Sequence, residues 1–222
     1  MQPFHFEFQV MLDSLPQLLL GARLTLLVTL LGCTFGFVLG AFFGLLRSLD
    51  SFWPRKIAGF YIETIRGTPL MVQMMFLYFG LPLLLGLRMP ALVAGIVAIS
   101  VNAGAYIAEV VRGAIEGLPK GQMEAARSIG LSKAQAMRHV ILPQAFRAMI
   151  PPLGNQFVIS LKDTSLLVVI GVGELTRTGQ EVISVNFRAF EVWLTVALLY
   201  LCLTLAISQF LRFLERRFKV VG

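Results

Sequence analysis

The sequence predicts an all-α integral membrane protein that forms one domain over residues 1–222. Hydrophobic residues make up 57% of the chain and charged residues only 14%, whereas soluble proteins average about 45–50% and about 25%. The mean hydropathy is +0.79. Long runs of residues carry no charge, and the basic residues concentrate in alternate loops between these runs. This composition excludes a disordered chain and an ordinary cytosolic enzyme domain.

Five transmembrane helices are predicted, four of them from the uncharged runs. A helix needs roughly 20 apolar residues to cross about 30 Å of hydrocarbon, and each run has 20 to 23 residues. The four runs are Leu24–Leu46, Gly67–Leu87, Met89–Ala108 and Val192–Leu211.

The remaining predicted span, Ala148–Gly173, is irregular. Lys162 and Asp163 interrupt its apolar sequence, and Pro151-Pro152 and Gly154 disturb its start. Because charged side chains and broken backbone are costly in hydrocarbon, we expect the centre of this span to face protein or water rather than lipid.

The basic residues predict the orientation of the chain. Its net charge is +7, and 13 of its 19 lysines and arginines fall on the side that follows the first span. Cytoplasmic loops are enriched in these residues, so we expect the N-terminus outside and the C-terminus in the cytoplasm of a bacterial inner (plasma) membrane. The expected partner of this charge is therefore membrane lipid, and no nucleic acid is expected. The 13 residues are Arg47, Arg55, Lys56, Arg112, Lys120, Arg127, Lys133, Arg138, Arg147, Arg212, Arg216, Arg217 and Lys219.

The longest predicted cytoplasmic segment, residues 113–147, is expected to hold two short helices. Pro119 favours the start of the first helix, and Gly130 is a natural stop for it. Ser132 followed by Gln135 has the spacing of a capping box, which predicts the start of a second helix. We expect this second helix to end near Pro143, because the residue before a proline disfavours the α region.

The segment contains the spaced motif E-A-A-x3-G-x9-V-x-L-P, from Glu124 to Pro143. This motif resembles the cytoplasmic signature of ABC importer permeases with the type I fold, with Val140 where that family normally has Ile. The resemblance implies a coupling helix that docks into a groove of the ATPase subunit. From the residues alone, the alternative is an ordinary amphipathic loop on the membrane surface.

Each residue of the motif has an implied role in this docking. Ala125 and Ala126 would permit close approach of the two backbones, and Glu124 and Arg127 would make polar contacts at the rim. Gly130 would permit a sharp reversal of the chain, where we expect an added side chain to clash.

The resemblance covers almost the whole chain and extends to the permeases for polar amino acids. That subfamily serves histidine, glutamine, glutamate, arginine, cystine and opines, and its short members have five spans. The matching sequences are Glu63–Leu70, Asn102–Tyr106 with Glu109 and Arg112-Gly113, Pro151–Asn155 and Lys162–Leu166.

Polar groups at membrane depth need partners or water, so they are candidates for a transport pathway. Asn102 lies in the middle of a span, where its amide either binds substrate or locks two helices together. Met71 on the second span either contributes to an adaptable apolar wall or packs within the helix bundle. The candidate substrate-binding residues are Asn102, Gln156, Asp163, Thr164, Ser165 and Met71.

Lys162–Ser165 is the most informative polar cluster, because four successive polar residues cannot all face lipid. Asp163 can hold a substrate ammonium group, while Thr164 and Ser165 can donate hydrogen bonds to a carboxylate. The alternative is that Lys162 and Asp163 form an ion pair that stabilises a break in the helix.

Two further charged pairs lie near the cytoplasmic ends of the spans. Glu63 and Arg66 stand three residues apart and can pair on one helix face, either as a gate or substrate contact or as a structural ion pair. Glu109 precedes Arg112 by three residues, and we expect this second pair to be structural.

The resemblance implies the permease subunit of an ABC importer in which two permease chains, identical or paralogous, face each other. An ABC ATPase subunit would act from the cytoplasm, and a periplasmic or extracellular solute-binding protein would deliver the substrate. The chain has no G-x-x-x-x-G-K-[ST] sequence, so we expect no enzyme activity and no cofactor in this chain, with ATP and Mg bound by the ATPase. The alternatives are an ion-coupled secondary amino-acid transporter and a membrane assembly factor.

The charges of the candidate pocket predict the substrate class. Asp163 is engaged either by a substrate ammonium group or by Lys162, which leaves no carboxylate for a cationic side chain. Burying such a side chain unpaired costs several kcal/mol, whereas the Gln156 amide can both donate to and accept from a neutral polar group. We therefore expect a neutral polar amino acid such as glutamine rather than arginine or lysine, with glutamate as the alternative if Lys162 or Arg66 turns towards it.

Overall fold

A computed structural model describes residues 5–86 and 88–218, with side chains described as far as residue 213. Every secondary-structure element in these ranges is helical, which confirms the all-α fold class. We label the helices α1 to α8: α1 Phe8–Arg47, α2 Phe52–Arg66, α3 Leu70–Leu85, α4 Ala91–Glu116, α5 Lys120–Ser128, α6 Lys133–Ile170, α7 Leu175–Asn186 and α8 Ala189–Phe218.

Four of these helices, α1, α4, α6 and α8, are long and apolar enough to cross a membrane. The broken pair α2 and α3 supplies a fifth span if the two helices count as one. The break falls at Gly67–Pro69, because proline cannot continue a helix hydrogen-bond ladder. The five predicted spans therefore agree with the upper count.

Helix α1 is longer than its uncharged run predicts. It begins at Phe8 rather than Leu24 and contains Asp13, Pro16 and Arg23. An uncharged run marks only the part of a helix suited to hydrocarbon, and the backbone hydrogen bonds continue into the polar region beyond it. Two parts of the prediction lie outside the described residues. They are the end of the second uncharged run at Leu87 and the C-terminal residues Lys219 and Gly222.

The expected helix end near Pro143 is wrong. Helix α6 runs from α-helix at Lys133–Ala136 through a π-helical turn at Met137–Ile141 into α-helix at Leu142–Asp163. The Leu142 amide bonds to the carbonyl of Met137, five residues earlier. This wider turn precedes Pro143, whose ring would clash with the carbonyl four residues before it in a regular α-helix.

A second π-helical turn, at Phe76–Gly80 of α3, shows that this device recurs. It is followed by Leu81 and Pro82, just as the turn in α6 is followed by Leu142 and Pro143. The expected disturbance at Pro151-Pro152 is also absent from the described backbone, because both prolines lie inside the continuous α-helix Leu142–Asp163. The predicted irregularity at Asp163 is confirmed, since α6 becomes a 3-10 helix at Thr164–Ile170.

The described residues form two compact units. Unit 1 comprises those within Met1–Gly32, Leu70–Ile99 and Val158–Ile207. Its buried core includes Val28, Met74, Ile99 and Leu167 in one cluster and Leu18, Leu175 and Val192 in another.

Unit 2 comprises the described residues within Cys33–Pro69, Ser100–Phe157 and Ser208–Gly222. Its core contains Ala103, Ile107, Val111, Ala145 and Met149. Three glycines of α1, spaced four residues apart, lie against α4, and a Cβ added to the second, Gly40, would lie 2.5 Å from the Ile107 side chain. Small residues at this spacing let two membrane helices approach closely. The three are Gly36, Gly40 and Gly44.

Candidate functional site

Helix α5 contains the E-A-A motif and ends in a hydrogen-bonded turn at Gly130. It begins after Pro119 and ends in a Schellman motif, in which the Leu131 amide bonds to the Ala126 carbonyl and the Gly130 amide to the Arg127 carbonyl. Gly130 has φ +90°, a conformation that glycine adopts without a Cβ penalty. The predicted helix and its glycine stop are confirmed, but the expected clash at this position is wrong. An added Cβ would meet no described atom within 4 Å, so the cost of a side chain is backbone strain.

The motif residues differ in their exposure. Glu124, Ala125 and Arg127 are exposed, whereas Ala126 is buried with 4% of its surface accessible. The small side chain of Ala126 therefore packs within this chain, and Ala125 is the exposed alanine of the motif. Ile129, which sequence reasoning missed, is 80% exposed at the end of the helix. A large apolar residue that directly precedes the stop glycine is the signal that would have found it.

Polar contacts link α5 to α6 and order the start of α6 in unit 2. The Gln144 amide donates to Gln122 at 3.3 Å, which links α6 to α5. The predicted capping box is confirmed, because the Gln135 amide donates to Ser132 Oγ at 3.2 Å and the Ser132 amide to Gln135 Oε1 at 2.8 Å. Lys133 forms an ion pair with Asp50 in the turn after α1. The exposed face of α5 is therefore joined by one side-chain hydrogen bond to the helix that follows it.

A charged cleft of about 780 Å³ lies beside α2 in unit 2. Its lining contains five basic and three acidic side chains. The basic ones are Arg47, Arg55, Lys56, Arg66 and Arg112, and the acidic ones are Glu63, Glu109 and Glu116.

The ion pairs in this cleft only partly follow the predicted spacing. Arg112 pairs with Glu109, as predicted, and also with Glu116. The predicted pairing of Glu63 with Arg66 is wrong. Glu63 binds Arg47 at 3.0 Å, and Arg66 lies 3.9 Å from Glu109. Arg47 lies on α1 and competes with Arg66 for Glu63. A spacing rule that considers residues of one helix cannot predict a contact with another helix.

Two candidate substrate residues lie in unit 2, and both are buried. Gln156 lines a cavity of about 330 Å³, which is large enough for an amino acid. Asn102 is on α4, the helix that contributes Ile107 to the same cavity, but it lies outside this lining. The cavity is lined by Cys33, Thr34, Phe37, Val38, Ile107, Leu153, Gln156 and Phe157, so it is mostly apolar with few polar groups.

The other four candidates lie in unit 1 and are described there by themselves. Thr164 Oγ1 donates to the Leu161 carbonyl and Ser165 Oγ to the Lys162 carbonyl, both at 2.7 Å. These bonds support the change from α to 3-10 helix at Asp163, which is half-buried. Within this described segment, no ion pair joins Asp163 to Lys162. Met71 is exposed on α3.

A buried carboxylate that sequence reasoning missed lies in unit 1. Glu174 is fully buried and caps α7 by accepting the amides of Thr176 at 2.9 Å and Arg177 at 2.8 Å. The Tyr200 hydroxyl donates to the same carboxylate at 2.8 Å and also interacts with Thr164. Glu174 precedes α7, outside the candidate spans, and burial raises the pKa of its carboxyl although these donors oppose the rise.

Comparisons with known proteins give the family. Residues 15–220 match the family described as "Binding-protein-dependent transport system inner membrane component". The glutamine transport system permease protein GlnP of Escherichia coli (strain K12) is 48% identical over 97% of this chain and 99% of its own length. The L-cystine transport system permease protein TcyL of Bacillus subtilis (strain 168) is 36% identical over 96% of this chain and 92% of its own length.

A solved structure gives the fold independently. The "Crystal structure of an amino acid ABC transporter with histidines" matches with a TM-score of 0.91 at 39% identity, covering 96% of this chain and all of that one. The resemblance found through the E-A-A motif is therefore confirmed. The chain belongs to the inner membrane components of binding-protein-dependent transport systems, and it has the fold of an ABC importer permease.

Proposed function

We propose that the chain is the permease subunit of an importer that carries a neutral polar amino acid, with glutamine favoured. The observation that carries this proposal is the similarity to the glutamine permease of Escherichia coli, which extends along almost the whole chain. The cystine permease, less similar, shows that the substrate varies within the family, so the amino acid must be tested directly.

Three protein partners follow from the proposal. An ABC ATPase subunit, which binds ATP and Mg, docks on the exposed face of α5, with Ala125 allowing close approach and Ile129 inserting into its groove. Glu124 and Arg127 make polar contacts around that face. A solute-binding protein delivers the amino acid on the opposite side of the membrane. A second permease chain, identical or paralogous, completes the pathway.

ATP supplies the free energy through its different affinity for the two states of the assembly. Binding of ATP closes the ATPase dimer, and the α5 segments move with it because they are docked on its subunits. The pathway then opens to the binding protein, and hydrolysis restores the inward-facing state.

The experiment reconstitutes the chain in vesicles with its ATPase and solute-binding protein and without an ion gradient. Uptake of labelled glutamine that requires enclosed ATP supports the proposal. Uptake that instead requires a proton or sodium gradient and no ATP would support the ion-coupled secondary transporter and overturn the proposal.

The orientation is tested on single cysteines in a background that lacks Cys33 and Cys202. We propose that α5 is cytoplasmic and α7 external. An impermeant thiol reagent should label Glu181→Cys in cells whose outer membrane is opened, and Lys120→Cys only after the inner membrane is broken. The reverse labelling would place α5 outside, away from ATP.

A further inference from the structure

Helix α2 has an exposed apolar face that its own chain leaves uncovered in the described residues. Trp53 is 73% exposed and Phe60 76%, and Ile57 lies on the same face. The opposite face, which contains Ala58 and Ile62, is buried. A helix with apolar side chains exposed on one face and charged residues beside it is typical of a helix at the membrane interface.

The position of α2 in the chain favours lipid as the occupant of this face. Only four residues separate its start at Phe52 from Arg47, where the membrane span α1 ends. Four residues reach about 14 Å at most, so α2 must begin close to the membrane surface. With 15 residues, α2 is about 22 Å long, which is too short to cross the hydrocarbon alone.

Two basic residues on α2 supply the charge that an anionic headgroup would need. Arg55 and Lys56 line the charged cleft together with Phe60. The other basic residues of the cleft have carboxylate partners, whereas Arg55 and Lys56 take part in none of the ion pairs among the described residues. Lys56 Nζ lies 5.7 Å from the centre of the Phe52 ring, so a positive charge sits directly beside the aromatic face.

We propose that α2 binds an anionic phospholipid of the cytoplasmic leaflet. Arg55 and Lys56 hold the headgroup phosphate at the edge of the cleft, and an acyl chain lies along Trp53, Ile57 and Phe60. Anionic lipids attract basic residues near the membrane surface, and tryptophan is favoured at the headgroup level. This site is separate from the ATPase-docking face of α5 and from the Gln156 cavity.

Tryptophan fluorescence tests the proposal, because the chain has only two tryptophans. Replacing Trp193 with Phe leaves Trp53 as the sole reporter in the full chain, reconstituted in vesicles. Brominated phosphatidylglycerol should half-quench Trp53 at about a five-fold lower mole fraction than brominated phosphatidylcholine. This factor corresponds to the attraction of one basic residue to an anionic membrane surface. The converse variant, Trp53→Phe, should show no such preference at Trp193.

Arg55→Gln with Lys56→Gln should abolish the preference at Trp53, while Lys56→Arg should keep it. The matched control neutralises two exposed arginines of the same unit, Arg138→Gln with Arg147→Gln, and should leave the preference unchanged. Equal quenching by both lipids, no quenching by either, or a preference that survives the double α2 variant would each overturn the proposal.

A crosslinking experiment on the assembled transporter tests whether a protein subunit covers the aromatic face instead. A photoreactive phenylalanine at position 53 should crosslink to phosphatidylglycerol in the complex with the ATPase and the second permease chain. Crosslinking to a protein subunit instead would assign the aromatic face to a protein interface and overturn the proposal.

Discussion

The Tyr200 hydroxyl donates to Glu174 Oε2 at 2.8 Å, which connects the membrane span α8 to the cap of α7 within unit 1. Thr176 Oγ1 lies 3.0 Å from the same hydroxyl, and the amide of Leu175, the residue after Glu174, donates to Thr25 Oγ1 at 3.2 Å. The start of α7 is therefore held by side chains from α1 and α8. A buried carboxylate that accepts several hydrogen bonds stabilises such a junction only while those donors remain in place.

The stability of this junction should depend on pH. Burial raises the pKa of Glu174, so between its unfolded and folded pKa the folded protein holds a proton that the unfolded chain has released. The contribution is fully present below the unfolded pKa of about 4.3 and is lost as pH rises through the raised folded pKa. The difference in thermal midpoint between wild type and Glu174→Gln in detergent should therefore move in favour of the variant as pH increases.

A matched control uses the exposed carboxylate Glu181 on the same helix. Glu181→Gln should change the midpoint little, because its ion pair with Arg177 is exposed to solvent. Glu174→Ala should destabilise by about 2 kcal/mol at low pH, because it removes the cap and leaves buried donors without an acceptor, and by less as pH rises and the wild type loses its own contribution. A constant difference between wild type and Glu174→Gln from pH 4 to pH 8 would contradict the pH dependence.

Gly130→Ala should weaken coupling without disturbing membrane insertion. The φ of +90° costs a residue with a Cβ about 1–2 kcal/mol, which loosens the Schellman motif that ends α5. ATP-driven uptake in vesicles should fall several-fold, with the amount of inserted protein unchanged. Gly113→Ala is the matched control, because this glycine lies inside α4 and a Cβ there also meets no described atom within 4 Å. Full uptake by Gly130→Ala would contradict a role of the Gly130 turn in coupling.

Ile129→Asp should weaken capture of the ATPase subunit by about ten-fold. An apolar side chain that is 80% exposed gains by burial in a partner groove, while a carboxylate there would have to be desolvated. The measurement is binding of purified ATPase to the permease in detergent. Val185→Asp, at an apolar residue 81% exposed on α7, should leave the binding unchanged. An unaltered affinity for Ile129→Asp would exclude Ile129 from the docking face.

The sequence predicts those features of the fold that depend on neighbouring residues. The helical stop at Gly130, the Ser132–Gln135 capping box and the break before Leu70 each follow from local backbone chemistry. The continuation of α6 past Pro143 could not be predicted in this way. A π-helical turn redistributes hydrogen bonds over several residues, so the preferences of single residues do not predict it.

The site was predicted less completely, because its partners come from distant parts of the chain. Glu63 pairs with Arg47, 16 residues away, instead of with the neighbour that its spacing favours. Glu174 receives its hydroxyl partner from position 200, so its burial was not visible from the surrounding sequence. The roles of the candidate substrate residues remain predictions that transport measurements must decide.

The close contact of α1 with α4 in unit 2 gives a packing prediction. A Cβ on Gly40 would lie 2.5 Å from Ile107 Cβ and 2.9 Å from the Gly104 carbonyl, so Gly40→Leu should force the helices apart. Overpacking of this kind costs typically about 1–3 kcal/mol. The thermal midpoint in detergent should fall clearly for Gly40→Leu and much less for Gly113→Leu, which enters open space. An equal fall in thermal midpoint for the two variants would contradict the close contact between α1 and α4.

Gln156→Glu should shift the substrate preference from neutral towards cationic amino acids. Gln156 lines the unit 2 cavity among mostly apolar side chains, where its amide can both donate to and accept from a neutral polar group. A carboxylate at the same position can only accept, and it gains most from a substrate that carries a positive charge. Competition of glutamine uptake by arginine should therefore become about ten-fold stronger relative to competition by unlabelled glutamine.

The measurement uses the reconstituted transporter with its binding protein and compares glutamine, glutamate, histidine and arginine as competitors. Gln180→Glu provides the matched control, because it makes the same chemical change at an exposed position on α7, outside this cavity. Its competition profile should equal that of wild type. If Gln156→Glu also leaves the profile unchanged, the cavity does not contact the substrate side chain. Strong preference of the wild-type protein for arginine would refute the charge argument itself, because no carboxylate lines the cavity among the described residues to pair with the buried guanidinium.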